Sequence, residues 1–91
     1  MHNWPAKDPG ETLDYQFDWT ARLETGETIL TSTMTLLSGD TTVSSPSFLG
    51  GVTTVWLSGG TVETASVVNN VITTSDGRTY EESARVRIKE K

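Results

Sequence analysis

Glu63–Thr74 (ETASVVNNVITT), the turn Ser75-Asp76-Gly77 and Arg78–Glu90 (RTYEESARVRIKE) decide how this chain folds. The last run alternates residue by residue. Tyr80, Glu82, Ala84, Val86 and Ile88 share one face, and Glu81, Ser83, Arg85, Arg87 and Lys89 share the other. Period-two alternation predicts strands with one dry and one wet face. Asp-Gly between two β-rich runs marks the turn of a hairpin, because glycine accepts the positive φ a tight turn needs.

The same grammar extends backwards. Leu13, Tyr15, Phe17 and Trp19 alternate with Asp14, Gln16, Asp18 and Thr20, which predicts a half-buried strand with an aromatic inner face. Glu24-Thr25-Gly26-Glu27 reads as a turn, and Thr28–Leu37 as a strand with Leu30, Met34 and Leu36 inward. Ser38-Gly39-Asp40 turns again. Thr41–Phe48 is a weaker strand broken by Pro46, which suits an edge or a bulge. Val52–Ser58 carries apolar groups on both faces, so either Trp56 or the Val55/Leu57 pair points inward.

No window shows a helical stripe, and threonine, serine, valine and glycine dominate a composition that suits pleated surfaces. The expected fold is all-β, an immunoglobulin-like antiparallel two-sheet sandwich of six or seven strands. Ninety-one residues make one domain. The sandwich is assigned to residues 12–91, and residues 1–11, with Pro5 and Pro9, to an extended, unpaired N-terminal arm. There are no cysteines, so inter-sheet packing must come from Tyr15, Phe17, Trp19, Met34, Val68, Ile72, Val86 and Ile88. Full burial of one aliphatic side chain contributes about 1.5–3 kcal/mol, much of it offset by chain entropy.

The net charge is −5 and the isoelectric point near 4.6. That balance argues against nucleic acid or an anionic membrane as partner. No apolar run has the length of a membrane span, and the N-terminus lacks the apolar core of a signal peptide. The chain is therefore expected to be made in the cytoplasm. Charge is uneven: within residues 8–27, Asp8, Glu11, Asp14, Asp18, Glu24 and Glu27 face a lone Arg22, whereas Arg85, Arg87, Lys89 and Lys91 crowd the end. Opposite charges across neighbouring first and last strands explain this most simply, with head-to-tail contact between copies as the alternative.

The chain offers little to chemistry. Its one histidine, His2, is terminal, which disfavours a Ser–His–Asp arrangement. Asp14 and Asp18 share a strand face about 13 Å apart, too far for a glycosidase pair. Asp40 and Asp76 belong to turns, and the glycine pairs at 50–51 and 59–60 open no helix that would bind phosphate. Asn70 faces inward and is expected to bond backbone groups. The aromatic face of Tyr15, Phe17 and Trp19 reads as core rather than a stacking platform. No catalytic, cofactor or metal site is expected. Trp4 in the arm has two readings, a lid folded onto the sandwich edge or an anchor for a partner, tryptophan being enriched at interface hot spots. On the second reading Trp4, Pro5, Lys7 and Pro9 form the partner-binding segment.

Two stretches carry a resemblance. Trp4-Pro5-Ala6-Lys7-Asp8-Pro9 with Leu13-Asp14-Tyr15 and Asp18-Trp19-Thr20-Ala21-Arg22-Leu23 resembles the opening of the small tailed-bacteriophage and prophage fibre–tail adaptor proteins. Thr53–Thr61 (TTVWLSGGT) and Val71–Thr79 (VITTSDGRT) are similar to the same family's second half. The chain departs from that pattern at Met34 and Ser66, where relatives often carry aromatics and where the resemblance implies core positions. It further implies a non-enzymatic virion component of the neck or tail that connects fibres to the particle. Its partners would be other virion proteins, in a symmetric multimer; the acidic charge and modest apolar content suggest that the isolated chain is a monomer. Capsid decoration and a free carbohydrate-binding or adhesion module are the alternatives.

Overall fold

A computed structural model describes all 91 residues. It contains seven strands: β1 (His2–Asn3), β2 (Leu13–Asp18), β3 (Ile29–Ser38), β4 (Thr41–Leu49), β5 (Val52–Gly59), β6 (Ala65–Thr74) and β7 (Thr79–Arg87). Two sheets face each other, ordered β1-β7-β6-β3 and β2-β5-β4. The expected sandwich is therefore present, with one departure from a wholly antiparallel pattern: β1 pairs with β7 in parallel.

The closing hairpin pairs in unbroken register from Ala65↔Arg87 to Thr73↔Thr79. Gly77 has φ of 82°, the left-handed conformation the turn requires. Facing side chains form two adjoining apolar groups, Tyr15, Val55, Leu57, Val68 and Val86 in one, and Phe17, Trp19, Ile29, Ile72 and Ala84 in the other. Met34 and Trp4 touch both groups. Val55 and Leu57 thus settle the ambiguity in β5, leaving Trp56 on the outer face, 39% exposed.

Leu30, expected inside, is instead exposed. A register shift between Ile29 and Thr31 turns it outward and puts Ile29 into the core, because one extra residue in a ladder reverses the facing of its neighbours. Pro46 sits where expected, in a bulge between Ser44 and Ser47 of the edge strand β4. Ser66 and Met34 are inward-facing; Ser66 is fully buried and accepts a hydrogen bond from the Thr41 hydroxyl at 3.0 Å.

The turn from β3 to β4 explains why a small residue stands at position 66. A Cβ on Gly39 would lie 2.2 Å from Ser66 Oγ and 2.7 Å from its Cα, at a φ of 93°. Backbone conformation and space therefore both demand glycine there. Gly39→Ala is expected to cost about 2–4 kcal/mol, combining left-handed strain with overpacking. Urea unfolding should show a lowered midpoint with an unchanged slope.

Candidate partner-binding surfaces

Residues 2–7 run along the edge of β7 and a turn follows at Pro9–Gly10, closed by Glu11 N–H donating to Asp8 O at 3.0 Å, so the segment is not an unpaired arm. His2 and Asn3 pair with Ala84 and Arg85, Trp4 N–H donates to Arg85 O at 2.9 Å, and Lys7 bridges to Ile88. The correction has a simple cause. Strand β7 has β6 on only one side, so its free edge offers carbonyls and amides that an extended segment satisfies.

The four residues assigned to partner binding have different surroundings. The Trp4 indole stacks on Tyr15, with centroids 4.9 Å apart and planes inclined at 20°, and meets Phe17 edge-on. Its Nε1–H donates to Gln16 O at 3.1 Å, and Tyr15 donates its hydroxyl to Pro5 O at 3.0 Å. This segment therefore straps β7 of one sheet to β2 of the other. Lys7 is fully buried, its ammonium donating to Asp8 O at 2.8 Å and Gly59 O at 2.6 Å. Burial pulls the Lys7 ammonium below its ordinary value, against Glu11 and Asp8, which raise it. Pro5 is exposed and Pro9 half-buried, so the proline side of the strap is what it shows to solvent.

His2 is held by Glu82, which also accepts from Arg22 at 3.0 Å. Burial opposes ionisation of Glu82, yet hydrogen bonds from His2 and Arg22 bring its carboxyl below the usual range. The Arg22 guanidinium also lies over the Tyr80 ring at 4.6 Å. Of the early acids and late bases, Glu11 and Lys91 form an ion pair at 3.2 Å, outside the strands, whereas Arg22–Glu82 joins the early base to a late acid. Strands β2 and β7 lie in different sheets, so their charges do not pair across one ladder.

Glu27 is a further carboxylate whose role the sequence did not reveal. Its side chain is enclosed and accepts from the Thr74 hydroxyl, the Glu24 amide shares its carboxylate at 2.8 Å, and Arg78 lies 3.1 Å away. These bonds, Thr74's first, hold the Glu27 carboxyl low. Asp8, Glu11 and Asp18 are also lowered, each mainly by hydrogen bonds from neighbouring amides or hydroxyls. A carboxyl whose folded pKa lies below its unfolded value stabilises the fold above the unfolded pKa, and that contribution is lost as pH falls through the folded one. The melting temperature should therefore hold near neutrality and fall progressively below about pH 4.5, the ordinary glutamate value. Glu27→Gln should flatten that acid limb in pH-dependent calorimetry.

The most exposed large apolar side chain, Leu49, lies at one end. Leu49 is 86% exposed at the tip of the β4–β5 hairpin, beside Phe48. Between this tip and the 20–29 loop opens a groove of about 570 Å³, lined by Leu23, Ile29, Phe48 and Leu49 with Glu24 and Thr25 at its rim. Gly51 makes the wall, since a Cβ there would lie 2.9 Å from Thr20 Cγ2 and 3.3 Å from Leu23 Cδ1. The chain measures 42 × 19 × 18 Å. The hairpin tip immediately precedes Val52, at one end of β5, and Lys7 grips Gly59 at the other. The apolar tip and the Lys7–Pro9 end of the strap therefore occupy opposite ends of the long axis. The strap segment is named from the sequence, but the tip is not legible there, since exposure of Phe48 and Leu49 depends on where β4 ends.

Residues 7–87 fit the family model described as podophage GP4 fiber-tail adaptor protein gp77. No curated protein matches the chain.

Proposed function

The chain belongs to the podophage fiber-tail adaptor family, and from that premise we propose that it is a non-enzymatic connector at the neck or tail of the virion, joining fibres to the particle. The match over residues 7–87, nearly the whole chain, is the observation that carries this reading. A connector needs two contact surfaces, and the elongated sandwich offers one at each end. At the first, the Phe48–Leu49 tip and its groove take an apolar side chain of one virion protein, in the way buried apolar anchors dominate interface energies. At the second, the strap contributes its outward side: Pro5 and Pro9 meet the other virion protein, while Trp4 and Lys7 hold the segment in the extended shape that is recognised.

The experiment is a complementation assay on particles. Phage lacking this chain should yield particles without fibres, and the wild-type chain should restore them. The exposed Leu49→Lys variant should fold normally yet fail to restore fibres. Particles that carry a full set of fibres without the chain would overturn the proposal, as would finding it in hundreds of copies over the capsid shell.

A further inference from the structure

The strands distribute charge with unusual economy. Strands β3, β4, β5 and β6 carry no charged residue. Those of β2, Asp14 and Asp18, both point to the outer face of the three-stranded sheet, whose strands carry no basic residue, although Lys91 lines a surface pocket beside Asp14. On the outer face of the four-stranded sheet β7 places Glu81 at one end and Arg85 and Arg87 at the other, and Lys89 follows, exposed. Five ion pairs form within the chain, and none includes Asp14, Asp18, Arg85, Arg87 or Lys89. Trp56 lies on the acidic face, paired across the ladder with Asp14 on one side and Ser44 on the other. Its indole nitrogen makes no hydrogen bond, unlike those of Trp4 and Trp19.

We infer that copies of this chain stack face to back, the Asp14–Trp56–Asp18 face of one copy receiving the Arg85–Arg87 face of the next. The partner is a second copy because each face presents what the other lacks. Asp14 and Asp18 supply carboxylates for the two guanidiniums, and the exposed indole supplies a ring face on which an arginine stacks within about 6 Å. Both charge stripes run down the strapped side of the sandwich, where Trp4 ties β7 to β2. Copies displaced perpendicular to the sheets, with a short slide along the strands, therefore bring the stripes into register and keep Asp18 clear of Glu81.

Sign decides the symmetry. Pairing two acidic faces or two basic faces sets like charges together, so the contact is heterologous, the kind that propagates into a ring or a stack. Its footprint of two or three strands falls below the roughly 1,200 Å² of a standard interface, so the isolated contact is weak. Tethering of neighbouring copies on a particle raises its effective concentration. The inference goes beyond the connector reading, and its test needs no particle.

The test uses the full chain, ¹⁵N-labelled, in a dilution series at low salt up to millimolar protein. The Trp56 indole signal and the amides around Asp14 and Arg85 should move with concentration, while the Trp4 and Trp19 indoles stay fixed. High salt should remove the effect, as screening of exposed charges requires. The labelled Arg85→Glu/Arg87→Glu variant should show no concentration dependence alone. Adding unlabelled Asp14→Lys/Asp18→Lys chain should move its Trp56 indole again. Spectra that ignore dilution at every salt concentration would overturn the inference. So would a mixture that leaves Trp56 still, or shifts confined to the Phe48–Leu49 tip.

Discussion

The Trp4→Ala variant should lose about 2–4 kcal/mol of folding stability, a large share of what a domain of this size possesses. Trp4 is only the fourth residue of the sequence, yet it touches both apolar groups of the core and stacks on Tyr15. Truncation removes that packing, opens a cavity between Tyr15 and Phe17, and leaves Gln16 O without the indole donor. Because Trp4 joins β7 to β2, the loss falls on contact between the sheets and not on either sheet alone. Chemical denaturation reads it as a lowered midpoint. Leu49→Lys makes the contrast: exposed residues outside such features change stability by only about 0.5 kcal/mol. A Trp4→Ala chain as stable as wild type would show that the strap is dispensable to the fold.

Asn70→Ala is expected to cost about 3–5 kcal/mol, although it removes a single polar side chain. Asn70 is fully buried on β6, and its Oδ1 accepts from the Trp19 indole at 3.0 Å and the Thr53 hydroxyl at 2.6 Å. Its Nδ2 donates to Ser32 Oγ at 2.9 Å and Thr33 O at 3.1 Å. Trp19 and Thr53 come from the three-stranded side and Ser32 and Thr33 from β3, so one amide links both layers. This tie crosses the sandwich in a chain that has no disulfide to do so. Alanine would remove the acceptor that the Trp19 indole and the Thr53 hydroxyl share, leaving the indole N–H only its longer 3.2 Å bond to Thr53 Oγ1 and the buried hydroxyl with no acceptor, and an unmet buried donor costs far more than a made bond contributes. Asn70→Asp, which keeps both acceptors, should be milder when protonated and worsen as the carboxyl ionises. Thermal melts of the two variants across pH distinguish loss of the network from loss of volume.

Much of this architecture was legible residue by residue. Alternation in β2 and β7 placed Tyr15, Phe17, Val86 and Ile88 inside, and turn chemistry at Asp76-Gly77 closed the right hairpin. Legibility failed where tertiary contacts override local pattern. Leu30 faced outward because a bulge interrupts the ladder, and bulges leave little trace in a threonine- and serine-rich strand. Residues 1–11 contain prolines and carry no alternation, so nothing local announced that the free edge of β7 would capture them. Lys7 is harder still. Lysine is almost never fully buried without a partner, and its partners, the carbonyls of Asp8 and Gly59, have no signature in sequence.

The functional surfaces follow the same division. The inward aspect of Trp4 and Lys7 is set by distant residues, whereas the separation of Asp14 and Asp18 from Arg85 and Arg87 is visible in the bare chain. Only the fold shows that those stripes lie on opposite outer faces and enter none of the chain's ion pairs.

A reconstruction of the intact particle tests the connector role most directly. The account predicts seven-stranded density of this shape between tail and fibre, its Phe48–Leu49 tip buried against one virion protein and its Pro5–Pro9 strap facing another. Density for the chain on the capsid shell away from any fibre, or particles that contain none of it, would contradict the account.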